Sequence, residues 1–135
     1  MDMNEEYKKN FDAWNEYAKI LDVMEFKGIL HEGHVWWCAL GINIGREEDG
    51  KNEHFERPVL LFRKISSDTL WVIPFTSKSA EKKSSFLYTF SFNGNIETAK
   101  LSQMRLISNQ RLLKYIGTIS PDDFKNIRNM FISLI

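Results

Sequence analysis

One cysteine, Cys38, is present in the 135-residue chain, so no internal disulfide can form and a reducing compartment is the natural setting. Three histidines, His31, His34 and His54, give no pattern with zinc-ligand spacing, and no metal or cofactor is expected. No run approaches the ~18–20 apolar residues of a membrane span. The first ten residues, MDMNEEYKKN, carry both charge signs and no apolar signal core, which points to the cytoplasm. Absent too are a G-x-S-x-G elbow, an H-E-x-x-H helix and a G-x-x-x-x-G-K-[ST] phosphate loop.

The composition is that of one soluble domain, with 43% hydrophobic and 27% charged residues. Formal net charge is zero, which argues against a protein that coats nucleic acid non-specifically. The balance is uneven along the chain. Residues 1–56 hold 13 acids and 6 bases, −7, whereas residues 57–135 hold 5 acids and 12 bases, +7. Such a split hints at a polyanion surface or an acidic partner unless folding interleaves the halves.

Residues 4–24 contain no Gly or Pro, and Tyr7, Phe11, Trp14, Ala18 and Leu21 fall at helical intervals. They predict an amphipathic helix that packs its aromatic face on the main body or offers it to a partner. Residues 1–30 are accordingly expected to form an N-terminal helical extension, and 31–135 the main domain. From residue 33 the texture is that of strands: GHVWWCAL, RPVLLFRK, TLWVIPFTSK, FLYTFSF, IETAKL, QMRLIS and YIGTIS. Residues 41–56 read as a long exposed loop. Asn-Gly in NGN marks a hairpin, and NQRLLK a helical turn. Ser120, Pro121 and Asp122/Asp123 announce a last helix of about 14 residues with Phe124, Ile127, Phe131 and Leu134 facing inward. The expected class is mainly β with helices, a small curled barrel with helical decoration.

Polar residues gather at the strand ends. In ERPVLLF, Pro58 suits the mouth of a strand and holds Arg57 extended at its entrance. If the ends meet on one rim, Arg57, Thr76, Ser77, Lys78, Gln103 and Arg105 line a donor-rich concavity suited to a phosphodiester.

In order, GHVWWCALGINIGREEDG, ERPVLLF, VIPFTSK, LSQMRLIS and LLKYIGTISPDDFKNIRNMF resemble the blocks of the MazF/PemK toxins of bacterial toxin–antitoxin pairs, over residues ~33–134. The resemblance implies an SH3-like barrel, a homodimer, a cognate antitoxin as partner, and metal-independent cleavage of single-stranded RNA, often mRNA. It implies Arg57 and Thr76 as catalytic residues and Gln103 as an RNA contact; from the strand-end reading Ser77, Lys78 and Arg105, together with Glu47, are expected to line the substrate. Fixed donors aimed at the charge that builds on the phosphorane would supply the catalysis, leaving a 2′,3′-cyclic phosphate and a 5′-OH. Glu47, His34 and His54 are the chemical alternatives for the base. The chain departs from the family pattern in the inserted KNEHFE at 51–56, in His34 where an acid is usual, and in Arg46 where Ser or Thr is usual. The alternatives are a non-enzymatic toxin resembling CcdB or a degenerate binding domain; the end MFISLI lacks the tryptophan-bearing tail of the former.

Overall fold

The computed structural model describes residues 7–77 and 84–135. In chain order the elements are α1 (Phe11–Asp22), β1 (His34–Ala39), β2 (Glu56–Lys64), β3 (Thr69–Thr76), β4 (Leu87–Phe92), β5 (Asn95–Lys100), β6 (Arg105–Ser108), β7 (Leu112–Thr118) and α2 (Pro121–Ser133). Short 3₁₀ turns at Leu101–Gln103 and Asn109–Arg111 flank β6, the second within the segment expected to turn.

All the strand pairings are antiparallel, along the path β4-β5-β3-β2-β1-β7, with β6 added to β3. The sheet curls without closing, in keeping with the small barrel expected from the sequence. β3 is shared in sequence by two neighbours: its end at Phe75 and Thr76 pairs with β5, and its start, Thr69 to Val72, pairs with β6. The 3₁₀ turn ending at Gln103 is the corner between those two pairings.

β2 and β3 are apolar without alternation because both their faces are covered. On one face Val35, Leu60, Ile73, Phe75 and Phe90 pack with Ile127 of α2. On the other, Cys38, Leu40, Val59, Leu61 and Val72 form a second buried cluster. Ser120 accepts from Asp123 N and Pro121 follows, so α2 starts where the sequence places it and presents Phe124, Ile127, Phe131 and Leu134 to the first cluster. At the β4–β5 turn, Asn93 (φ 50°) and Gly94 (φ 80°) supply the two successive positive φ values of a tight hairpin.

Two expectations need correction. The first helix begins at Phe11 because Asn10 caps it, accepting from Ala13 N; Tyr7 therefore precedes the helix, and residues 1–6 lie outside the described residues. Residues 41–56 are not uniformly exposed. Gly41, Ile42 and Gly50 are buried, Gly50 N donates to Gly41 O (2.8 Å) and Gly41 N to Phe55 O (3.0 Å), so the loop is folded back on itself. Gly41 has φ +83°, and a β-carbon there would stand 2.4 Å from Trp14, so only glycine lets α1 approach the loop so closely.

Candidate functional site

Arg57 enters β2 opposite Cys38 of β1, with Pro58 opposite Trp37. The β2–β3 ladder pairs Val59 with Pro74. Two residues further out on each strand, Arg57 and Thr76 therefore stand on the same face of neighbouring strands. Thr76 is in turn paired with Thr98 of β5, and Lys100 lies on that face two residues beyond Thr98. Strand register thus gathers a guanidinium, a hydroxyl and an ammonium that are well separated in sequence.

The 41–55 loop closes over this edge. Arg57 Nε lies 2.7 Å from Glu48 Oε2 and donates to Asp49 O at 2.5 Å. The other carboxylate oxygen of Glu48 sits 2.8 Å from Lys100 Nζ. The Arg57 and Glu48 side chains are 16% and 9% exposed, so this is a largely buried ion pair with a second cation at its rim. The acidic first half and the basic second half of the chain meet here, and part of the sequence's charge split is neutralised inside the fold.

Gln103 spends both ends of its amide on the same loop. Its Oε1 accepts from Glu48 N (2.9 Å), and its Nε2 donates to Arg46 O (3.1 Å). Gln103 and Arg105 line a cavity of about 330 Å³ together with Glu47 and Glu48. Arg105 also donates from NH1 to Leu40 O (3.3 Å), so it is partly committed to holding the end of β1. Glu47 Oε1 accepts from Ile44 N in its own turn.

Arg57 borders two further cavities. One, of about 280 Å³, includes Ser77, Trp37, Phe75 and Glu97. The other, of about 550 Å³, lies between the loop and residues Tyr7 to Asn10. Of the residues expected on one rim, Arg57 and Ser77 share a cavity, Gln103 and Arg105 share another, and Lys78 falls outside the described residues; Glu47 lines a cavity with Gln103 and Arg105 and also the one of about 550 Å³ with Arg57. Thr76 lies on Arg57's face without lining either cavity.

The two histidines are elsewhere. His34 starts β1 opposite Thr118 and packs edge-on against His31 and Tyr115. It is four residues, roughly 13 Å, from the register position of Arg57, and burial holds its pKa below the ordinary histidine value. His54 lies against Tyr17, with Nδ1 4.0 Å from Glu56.

Sequence reasoning missed Glu48 and Lys100. Glu48 stands in a run of three acids, with nothing local to say which of them turns inward. The usable sign for Lys100 is its place immediately before the 3₁₀ corner that carries Gln103. Among the described residues no group of three or more His, Cys, Asp or Glu side chains is placed to hold a metal ion. Nor, among them, is any helix long and apolar enough to cross a membrane.

Residues 31–135 match the family model of the PemK-like, MazF-like toxins of type II toxin–antitoxin systems. No curated protein sequence matches significantly. Among solved structures, the fold is similar to crystal form I of MazF from Deinococcus radiodurans, with a TM-score of 0.64 and 19% identity over 80% of this chain and 97% of that one. It is also similar to an endoribonuclease solved with its cognate antitoxin from a Mycobacterial species, with a TM-score of 0.56 and 11% identity over 79% of this chain and 93% of that one. At these identities the structural likeness speaks for the fold, and the family assignment rests on the match over residues 31–135.

Proposed function

The chain belongs to the PemK-like, MazF-like toxin family of type II toxin–antitoxin systems, and from that premise we propose that it is a cytoplasmic endoribonuclease that cuts single-stranded RNA at preferred sequences. Its protein partners are a cognate antitoxin and a second copy of itself. The observation that carries the reading is the convergence of Arg57 and Thr76 on one face, with Lys100 two residues beyond Thr76's partner Thr98 and Arg57 and Lys100 joined through Glu48. A site of this kind offers several charge-assisted and neutral donors to one phosphodiester.

Anchored through Nε, the Arg57 guanidinium can direct its terminal nitrogens at the non-bridging oxygens. Their charge grows as the ribose 2′-oxygen bonds to phosphorus. Thr76 Oγ1 donates to the same group, and Lys100 offsets the phosphate charge. Glu47, which lines the cavity of about 550 Å³ together with Arg57, is the carboxylate assigned to take the 2′-OH proton. The P–O5′ bond then breaks, the 5′-oxygen takes up a proton, and the products are a 2′,3′-cyclic phosphate and a 5′-OH. Ser77 and Arg105 contact the flanking nucleotides. Gln103 does so by exchanging its loop bonds for RNA.

The test is cleavage of a labelled single-stranded RNA by the purified chain in EDTA, with both new ends identified. Arg57→Ala should lower kcat by at least about 10²-fold, the scale of losing one transition-state donor, while the thermal transition persists. Cleavage by that variant at the wild-type rate would remove Arg57 from the chemistry. Inhibition of a topoisomerase with no RNA cleavage would instead favour the CcdB-like alternative.

A further inference from the structure

The stretch before α1 is tied to the same loop that anchors Arg57, and we propose that Lys9 and Tyr7 are positioning residues for this arginine, acting through Asp49. The proposal rests on the nuclease reading for what Arg57 does, whereas the tie itself is geometric.

Lys9 Nζ donates to the carbonyl oxygens of Asn43 (2.5 Å) and Gly45 (2.9 Å) and lies 3.3 Å from Asp49 Oδ2. A lysine ammonium has three protons, and all three are matched by one loop that is wrapped around it. Tyr7 OH donates to Asp49 Oδ2 (3.1 Å), and Asn43 N to Asp49 Oδ1 (2.6 Å). Both oxygens of the Asp49 side chain are therefore fixed, and its backbone oxygen is the acceptor for Arg57 Nε. The Lys9 and Asp49 side chains are only 21% and 11% exposed, so water screens this contact less than a surface pair. Without the ammonium, two carbonyls and a carboxylate would converge with no countercharge.

α1 delivers the stretch to this place. Trp14 packs edge-on against Phe55, Arg111 covers its ring, and Tyr17 lies against His54 and Phe55. At the far end of the helix the two protons of Gln110 Nε2 are shared among the carbonyls of Leu21 (3.2 Å), Asp22 (2.9 Å) and Met24 (2.7 Å). The region matched to the toxin family begins at residue 31, so Tyr7, Lys9 and α1, which form the clasp on this loop, lie outside it. An element of this chain thus sets the stiffness of a loop inside the family domain, and through that loop the aim of the guanidinium.

The experiment uses the full-length chain with Lys9→Met and, as a milder change, Tyr7→Phe. Exchange of the Arg57 Nε proton with water is followed by NMR, and RNA cleavage is measured in EDTA. In Lys9→Met the Nε proton should exchange about tenfold faster. Its kcat should fall about tenfold with KM within about twofold, as expected when a reacting group loses its orientation and binding is kept. Tyr7→Phe should move both readouts the same way by less, and it keeps the test open if Lys9→Met fails to fold. Unchanged Nε exchange in a folded Lys9→Met, or in Tyr7→Phe where Lys9→Met does not fold, overturns the proposal, as does faster exchange with wild-type kcat. If the wild-type chain cuts no RNA but Lys9→Met still frees the Nε proton, the clasp stands and the nuclease reading falls.

Discussion

Glu48 is held between two cations, with Arg57 Nε at 2.7 Å from one carboxylate oxygen and Lys100 Nζ at 2.8 Å from the other. Removing the charge leaves two cations facing each other at a largely buried site. Breaking such a pair typically costs about 3 kcal/mol. Glu48→Gln should therefore lower the thermal midpoint and, with the guanidinium less fixed, reduce kcat. It should also steepen the salt dependence of RNA binding, since one more uncompensated positive charge faces the phosphates. Binding measured across a salt series checks this. A slope equal to wild type would show that the pair lies outside the RNA path.

Gly41 makes a second point of leverage. Its φ of +83° and the 2.4 Å that a β-carbon would leave to Trp14 make alanine costly twice over. Gly41→Ala should destabilise the fold by about 2 kcal/mol, the range for strained backbone plus local overpacking. It should shift the Trp14 environment, visible in near-UV dichroism. Trp14→Ala in the same chain should relieve the overpacking part and leave the backbone part. If alanine at 41 costs as much without the indole as with it, the close approach of α1 is not what selects glycine.

Cys38 is fully buried within the second cluster, and burial pushes its thiol up to about 12 even though Arg111 and Arg105 pull the other way. The thiolate is then negligible at pH 8, and the native chain should resist iodoacetamide. Modification should appear only with global unfolding, and mass spectrometry along a urea gradient would track it. Labelling of the folded protein within minutes would contradict this burial.

The sequence disclosed the fold more fully than the site. Continuous apolar runs such as VLLF and VIPF, the Asn-Gly turn and the Ser120-Pro121 start are local signals, and local physics suffices to realise them. Arg57 was legible because proline fixes the residue before it. Its neighbours were not. Whether Glu47, Glu48 or Asp49 turns inward depends on where Gln103 and Lys100 arrive from another pairing of β3. The stripe from Tyr7 to Leu21 was right for Trp14 and Leu21, but Asn10 stops the helix short. That early cap is what frees Tyr7 and Lys9 to reach the loop.

Glu97 is the residue whose burial runs against its charge. Its Oε1 is shielded and lacks a hydrogen-bond partner among the described residues, and burial alone raises its pKa above the ordinary carboxylate value. The folded state then holds this proton at a pH where the unfolded chain, with a pKa of about 4.3, has released it. Folding stability falls as pH rises from the unfolded value through the raised folded one, and the penalty is fully present at neutral pH. Glu97→Gln removes the charge and keeps the shape, so it should raise the thermal midpoint at pH 7, with the gain vanishing near pH 4. Melting curves at the two pH values decide it. A glutamine variant less stable than wild type at pH 7 would mean that the carboxylate is stabilised as an anion, and that the cavity it shares with Arg57 supplies the countercharge.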